Sequence, residues 1–194
     1  NLLIFPNFNP ADQALGIKYH YLPDTMYERG ATSSNPLEAR AVAVAVFRHA
    51  RECPELTLGV AAFSVKQMQA VYDEVERMRM EDNSCEEFFG AHEHEPFFVK
   101  NLENVQGDER DVIFISVGYG RDQDGKVSMN FGPLNSDGGE RRLNVLITRA
   151  RRRCEVFTNL RALDIDLNRT SASGVGVFRS YLQYAESGAL EGAA

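Results

Sequence analysis

The stretch RRLNVLITRARRR, Arg141 to Arg153, decides the fold of this sequence and the place where its chemistry is expected. Six of its thirteen residues are arginine, although the chain of 194 residues carries a formal net charge of −7. Its apolar residues recur at the i, i+3, i+4, i+7 spacing that places side chains on one face of a helix. These residues are Leu143, Leu146, Ile147 and Ala150. The stretch therefore predicts an amphipathic helix that docks onto a core by its leucines.

The spacing of two of the arginines suggests a specific contact and not only a solvated surface. Arg142 and Arg149 stand seven residues apart, close to one line on an adjacent helix face, with Asn144 and Thr148 beside them. A guanidinium group is always charged and forks onto phosphate oxygens, so an arginine fixed on a docked helix could reach a phosphate held by a neighbouring domain. The simpler interpretation is a solvated basic helix end, which suits Arg151 to Arg153 because cations are favoured near a helix C-terminus.

Apolar runs of strand length lie on both sides of this stretch. The three strongest are Leu56–Ala62, Asp111–Val117 and Cys154–Thr158, with a shorter one at Phe97–Lys100. Helical patterns separate them, and this alternation predicts an α/β domain with a mainly parallel sheet and helices on both faces. We expect a single domain over residues 1–194. In such sheets ligands lie beyond the C-terminal ends of the strands, which points to the loops after Ala62, Lys100 and Val117.

Local signals predict three further helices. Asn35 is a good N-cap, Pro36 suits the first helical position and Glu38 completes a capping box, so a helix should run from here to about residue 52. Helical patterns also cover residues 66–80 and 177–186. The segments LLIFPNF, at the start of the chain, and IKYHYLP, which ends at Pro23, indicate short extended pieces.

Composition limits the class of protein. The chain has 43% apolar residues, enough for one sizeable core, and 28 acidic against 21 basic side chains, which argues against a protein that coats nucleic acid. Its three cysteines form neither a disulfide framework nor a metal pattern, so a reducing cytosol, and hence a cytoplasmic location, is expected. No apolar run approaches membrane-spanning length. Because the sequence begins at Asn1, we expect a piece of a longer protein.

The segment NVQGDERDVIFISVGYG, Asn104 to Gly120, is the second informative stretch. Gly107 lets the backbone come close to a ligand, and Glu109, just before the strand, could accept hydrogen bonds from ribose hydroxyls. The alternative is a polar turn that leads into a strand. From these residues alone both interpretations stay open.

Two other motifs are better explained without a ligand. GRDQDGK, Gly120 to Lys126, has the spacing of a phosphate-binding loop, but Val127 stands where Ser or Thr must bind Mg²⁺, so a hairpin turn is expected. His92 and His94 are only two residues apart without other ligands nearby, so an exposed acidic loop is expected and no metal site.

Three segments resemble conserved motifs of superfamily 1 helicases, and especially of the Up-frameshift-like branch. RRLNVLITRAR resembles motif VI of this branch, R-R-L-N-V-A-L-T-R-A-R. NLENVQGDERDVIFISV resembles motif V, with its Q-G-x-E-x-D-x-I core, and LGVAAFSVKQ resembles motif IV. The three occur in the order and at the spacing of the family, over residues 58 to about 159, and the tail is similar to that of large bacterial members.

The resemblance implies the second RecA-like domain of an ATP-dependent helicase, in which ATP binds between two such domains. It implies that Arg149 is the arginine finger and that Arg142 is the motif's other catalytic arginine, near the nucleotide. ATP-binding roles are implied for Gln67, Gly107 and Glu109. Contacts to nucleic acid are implied for four residues: Asn101, Asn104, Gln106 and Thr148. Asn101 stands where the family commonly has Thr or Ser, and a further family arginine belongs just upstream of residue 1.

The resemblance also implies the cofactors and partners. ATP and Mg²⁺ would be bound mainly by the first RecA-like domain of the same polypeptide, whose Walker A and Walker B elements are absent from this sequence. The strand would be single-stranded DNA or RNA, and no membrane is involved. The isolated fragment is expected to be inactive. A helicase-like scaffold that binds nucleic acid or protein without turnover is the alternative, and a free-standing P-loop enzyme is disfavoured by Val127.

Overall fold

The computed structural model describes residues 16–187 of the chain. The strands in this part are β1 (Gly16–Tyr21), β2 (Leu58–Ala62), β3 (Phe98–Asn101), β4 (Arg110–Ser116) and β5 (Ala150–Thr158). The helices are α1 (Pro36–Glu52), α2 (Val65–Glu81), α3 (Glu86–Ala91), α4 (Gly139–Ile147) and α5 (Ser173–Ser187). The extended piece predicted for LLIFPNF lies outside the described residues.

All five strands form one parallel sheet in the order β1-β5-β4-β2-β3. Helices α1, α2 and α3 pack a hydrophobic core on one face, and α4 and α5 pack a second core on the other. This arrangement confirms the predicted α/β class and is the three-layer RecA-like fold. Within residues 16–187, no helix combines the length and the apolar character that crossing a membrane requires.

Helix α1 begins where its sequence signals place it. Asn35 caps the helix, because its side-chain oxygen accepts the Glu38 N–H at 3.1 Å, and Pro36 occupies the first position. The prediction that Glu38 completes a capping box is wrong, however. The Asn35 N–H donates to Gln67 Oε1 at 2.7 Å, and the Glu38 carboxylate turns into the core, where Ser116 and Gly118 hold it.

The arginine stretch is a helix followed by a strand, which corrects the prediction of one helix. Helix α4 ends at Ile147, where Thr148 and Arg149 form a turn, and β5 begins at Ala150. Leu143, Leu146 and Ile147 are buried as predicted.

The arginines of β5 do not form a solvated helix end. Arg151 forms ion pairs with Glu95 at 2.5 Å and Asp111 at 3.3 Å, and Arg153 pairs with Glu155 at 2.6 Å. The carboxylates that other segments bring to Arg151, together with strand pairing to β4, override the helical periodicity.

The segment GRDQDGK, Gly120 to Lys126, which has the spacing of a phosphate-binding loop, forms a hairpin turn, as predicted. Arg121 and Val127 pair in an antiparallel bridge, and Gly125 has a φ of 72°. The Asp122 carboxylate accepts hydrogen bonds from the N–H groups of Asp124 and Lys126, which closes the turn.

Candidate functional site

A parallel sheet has an N-terminal end, where its strands begin, and a C-terminal end, where they finish. The seven residues of β4 separate these ends by about 20 Å, because each strand residue rises about 3.3 Å. The predicted site residues are divided between the two ends. Their positions therefore decide which of them could contact one ligand together.

Arg149 and Glu109 meet at the N-terminal end of the sheet. Glu109 immediately precedes β4, Arg149 immediately precedes β5, and the Arg149 Nη1 lies 3.3 Å from the Glu109 Oε1. The two segments are joined by a backbone hydrogen bond, since the Arg110 N–H donates to the Arg149 carbonyl at 3.0 Å. Strand pairing between β4 and β5 thus brings together two residues that are 40 positions apart in the sequence.

The guanidinium of Arg149 is oriented by its own turn. Its Nε donates to the Val145 carbonyl at 3.0 Å, and its Nη2 donates to the Thr148 hydroxyl at 3.3 Å. The side chain remains 20% exposed and that of Glu109 is 51% exposed. An ion pair this accessible contributes about 0–1 kcal/mol, so Arg149 can exchange Glu109 for another anion at little cost.

Gly107 lies at the same end of the sheet and keeps the approach open. Its φ of 89° is in the left-handed region, and a Cβ placed there would meet no atom within 4 Å. A cavity of about 480 Å³ adjoins it. The cavity is lined by His94, Glu95, Pro96, Phe98, Lys100, Gly107, Asp108, Glu109, Arg110 and Arg151.

Arg142 does not join Arg149. Its Nη1 donates to the carbonyls of Asp137, at 2.8 Å, and Pro133, at 3.5 Å, so it fastens the loop that precedes α4. Seven helical residues correspond to about 10 Å along the axis, which sets Arg142 toward the C-terminal end of the sheet. Backbone carbonyls hold the Arg142 guanidinium, so it is not aimed along one seam with Arg149, and its role near the nucleotide stays a prediction.

Gln67 lies at the C-terminal end and is fully buried. Its Oε1 accepts the Asn35 N–H, and its Nε2 donates to the Ser116 hydroxyl at 3.0 Å and to the Asn35 carbonyl at 3.3 Å. The structure does not bring it to Gly107 and Glu109. The length of β4 separates Gln67 from the other two, and the ATP-binding role of all three residues stays a prediction.

The four predicted nucleic-acid residues do not form one surface. Asn101 ends β3 at the C-terminal end, and among the described residues its buried Oδ1 has no hydrogen-bond partner. Asn104 and Gln106 are exposed on the segment that crosses from β3 back to the start of β4. Thr148 lies beside Arg149 at the other end.

Two residues that the sequence did not single out for chemistry occupy prominent positions. Glu38 is fully buried, and burial raises the pKa of its carboxyl group to about 8. The sequence feature that could have predicted its burial is its position on the same face of α1 as Val42 and Ala45. Arg151, beside the cavity, has its pKa raised by the Glu95 carboxylate that it binds. Within residues 16–187, no cluster of three or more His, Cys, Asp or Glu side chains could hold a metal ion.

Comparison with known proteins agrees with this architecture. The sequence profile of the AAA domain family matches residues 10–161. The chain is 48% identical over 96 residues to a Mycoplasma genitalium protein named uncharacterized ATP-dependent helicase MG140, which covers 49% of the chain and 8% of that protein. It is 34% identical over 197 residues to the Mycoplasma pneumoniae homolog of that helicase, which covers 96% of the chain and 16% of that protein. The chain thus spans a small part of both relatives. The profile match over most of its length shows that the chain belongs to the AAA domain family.

Proposed function

We propose that this chain is the second RecA-like motor domain of an ATP-dependent nucleic-acid helicase of superfamily 1, in the Up-frameshift-like branch. The observation that carries the proposal is the accessible Arg149–Glu109 pair at the N-terminal end of β4 and β5. The pair joins the two segments that resemble motifs V and VI. Both curated relatives are named as ATP-dependent helicases, which supports the same activity for the longer protein.

In this proposal Arg149 is the arginine finger. Hydrolysis of a nucleoside triphosphate builds negative charge on the phosphate oxygens, and a guanidinium brought to them is worth about 10³ to 10⁵ in rate. The contacts to Val145 and Thr148 fix the direction of the Arg149 guanidinium in advance, so little reorientation is needed when the domains close. Closure would replace Glu109 by the triphosphate as the partner of Arg149.

Glu109 and Gly107 fit the sugar side of a nucleotide. The half-exposed Glu109 carboxylate has the acceptors that ribose hydroxyls require, and the turn at Gly107 leaves room for close approach. ATP supplies the phosphoanhydride bond when it is bound. By the resemblance, Mg²⁺ and most of the nucleotide would be held by the first domain.

The single strand would cross the C-terminal end of the sheet. The exposed Asn104 and Gln106 would contact it from the segment that follows β3, whereas the Asn101 side-chain oxygen at this end is buried. Opening and closing of the cleft would then move the strand relative to the first domain. Contacts of this kind are mostly to the nucleic-acid backbone and weaken with salt.

The isolated chain is expected to release no phosphate from ATP, with or without single-stranded DNA or RNA. The finger acts only on a triphosphate that the first domain holds. Steady-state phosphate release by the 194-residue chain measures this, with the longer protein under identical conditions as the positive control. Robust turnover by the chain alone would refute the assignment as a second motor domain.

Gly107→Val in the longer protein is expected to lower ATP turnover strongly. Valine strains a turn with a φ of 89° and places a branched side chain where the nucleotide approaches. Gly125→Val is the matched control, because Gly125 has a φ of 72° and an equally open Cβ position but lies in the hairpin turn at the other end. Equal losses in the two variants would show that backbone strain alone is responsible and that Gly107 faces no ligand.

A further inference from the structure

Arg110, the first residue of β4, is a buried arginine whose side chain donates to backbone carbonyls. The residue is only 6% exposed. Its Nε and Nη2 donate to the Pro96 carbonyl at 3.1 and 2.8 Å, and its Nη1 donates to the Glu109 carbonyl at 2.7 Å. Within residues 16–187, Arg110 forms no ion pair with a carboxylate. Its guanidinium therefore joins the segment before β3 to the segment before β4.

This burial of Arg110 is costly for the fold. An arginine is seldom buried without a carboxylate partner, because its guanidinium loses hydration. Burial lowers the pKa of Arg110, which is the direction expected for a cation removed from water. A methionine would fill similar space without this cost, so packing alone does not account for an arginine here. What the guanidinium adds is the connection between two carbonyls on different segments.

The aromatic ring under the guanidinium fixes its direction. The Arg110 Cζ lies 4.8 Å from the centroid of the Phe98 ring. That ring occupies the space beside Gly59, where a Cβ would lie 2.3 Å from the Phe98 Cζ. Because Gly59 and Phe98 are partners in the pairing of β2 with β3, the arginine reaches from β4 across β2 to the start of β3. The sheet thus holds the fork in one orientation.

Arg110 is hydrogen-bonded to both residues of the Arg149–Glu109 pair. Its side chain holds the Glu109 carbonyl, and its own N–H donates to the Arg149 carbonyl at 3.0 Å. The Glu109 carboxylate is held from the other side by the Arg149 Nη1. When domain closure moves Arg149 to the triphosphate, the bond from Arg110 is the side-chain contact that still fixes Glu109. Pro96, the second carbonyl partner, lines the cavity of about 480 Å³ beside Glu109, so Arg110 fixes Glu109 relative to the cavity wall.

We infer that Arg110 is a positioning residue, which fixes Glu109 where its carboxylate accepts a hydrogen bond from a ribose hydroxyl and thereby sets the sugar preference of the site. The inference rests on the proposed function and adds a determinant of substrate specificity to it. Arg110 acts through Glu109, because backbone carbonyls already engage its own donors. A carboxylate fixed to receive a hydroxyl is left unpaired by a sugar that lacks this group, and it rejects that sugar for this reason.

The test compares ATP with 2′-deoxy-ATP and 3′-deoxy-ATP as substrates of the longer protein. The ratio of two kcat/KM values from one enzyme sample does not depend on how much of that sample is folded, so a loss of stability alone leaves it unchanged. The wild type is expected to prefer ATP over one analogue by about 10- to 150-fold, the effect of one hydrogen bond to a charged group. Glu109→Ala should abolish this preference. Arg110→Met should reduce it about 10-fold, because a displaced carboxylate makes the contact poorly.

Three further variants sharpen the comparison. Arg110→Lys keeps the charge and the stem against Phe98 but lacks the fork, so it should retain part of the preference. Arg110→Gln is too short to hold both carbonyls, should match Arg110→Met, and replaces it if the methionine variant does not fold. Arg79→Met is the matched control and should keep the wild-type preference. The Arg79 guanidinium also lies on a ring, 4.5 Å from the centroid of Phe89, but on the opposite face of the sheet.

The outcomes separate this inference from the proposed function. A wild-type preference in Arg110→Met or Arg110→Gln, together with its loss in Glu109→Ala, would overturn the inference and leave the proposed function intact. An equal loss in Arg79→Met would overturn it as well, since the effect would then not be specific to Arg110. A preference that survives Glu109→Ala, or none in the wild type, would remove Glu109 from the sugar contact and the inference with it. Absence of ATP turnover by the wild-type longer protein would instead overturn the proposed function itself.

Discussion

Replacing Arg149 by alanine in the longer protein is expected to lower kcat for ATP hydrolysis by about 10³-fold or more, with a much smaller change in ATP affinity. The guanidinium would act on charge that develops in the transition state, so its removal affects the chemical step more than binding. Steady-state ATP hydrolysis and equilibrium binding of a fluorescent ATP analogue separate the two effects. Arg149→Lys should recover only part of the rate, because an ammonium group cannot reproduce the fork or the bond from Nε to Val145.

Arg141→Ala is the matched control for this experiment. Arg141 lies on α4, eight positions before Arg149. Its side chain is 87% exposed, and its ion pair with Glu140 is long, at 3.9 Å between Nε and Oε1. The substitution Arg141→Ala should therefore leave kcat unchanged, although it removes the same positive charge as Arg149→Ala. If Arg149→Ala also leaves kcat unchanged, Arg149 is not part of the catalytic site and the Arg149–Glu109 pair is only structural.

Glu38 is expected to make the stability of the 194-residue chain fall as the pH rises. Burial is the largest cause of the rise in its pKa from 4.5 to about 8, only partly offset by hydrogen bonds from Ser116 and Gly118. An acid whose pKa is higher in the folded state stabilises that state while it is protonated. The stabilisation by Glu38 is therefore complete below pH 4.5 and is lost as the pH rises to about 8. A shift of this size corresponds to about 5 kcal/mol in the free energy of unfolding.

Glu38→Gln isolates this effect. Glutamine keeps an oxygen acceptor for the Ser116 hydroxyl and the Gly118 N–H but does not titrate. The free energy of unfolding, measured in urea between pH 5 and pH 9, should be similar for the two proteins at the acidic limit and higher for the variant at the alkaline limit. Taking the difference removes the opposite contribution of buried His49, whose pKa is lowered by burial and which destabilises the fold as the pH falls. Glu52→Gln, an exposed carboxylate on the same helix, should show no such difference, and a pH-independent difference for Glu38→Gln would contradict the prediction.

Local signals were sufficient for the elements whose residues all favour one structure. Asn35 and Pro36 placed the start of α1 correctly, and the continuous apolar run of β4 identified a strand buried on both faces. The boundary between α4 and β5 was different. Helical periodicity continues through Ala150, but Arg151 pairs with carboxylates on other segments that no local pattern reveals, and Arg153 pairs with Glu155 two residues along the same strand. Tertiary pairing therefore decided where the helix ends.

The candidate site was predictable to the same limited extent. Motif resemblance identified Arg149 and Glu109, and pairing of adjacent parallel strands explains why they meet. It could not show that Arg142 turns to the carbonyls of its own loop, or that Gln67 points into the core. Side-chain direction at those positions depends on neighbours distant in sequence. The general rule for open α/β sheets also pointed to the C-terminal end, whereas this pair lies at the opposite one.

The segment between β3 and β4 has a mechanical consequence. It connects Asn101, at one end of the sheet, to Glu109, at the other, with no helix in between, and Leu102 and Val105 anchor it in the core. Parallel strands are usually linked through a helix, which absorbs displacement in its packing. Here a displacement at Asn101 reaches Glu109 through eight peptide units, with no helix to take it up.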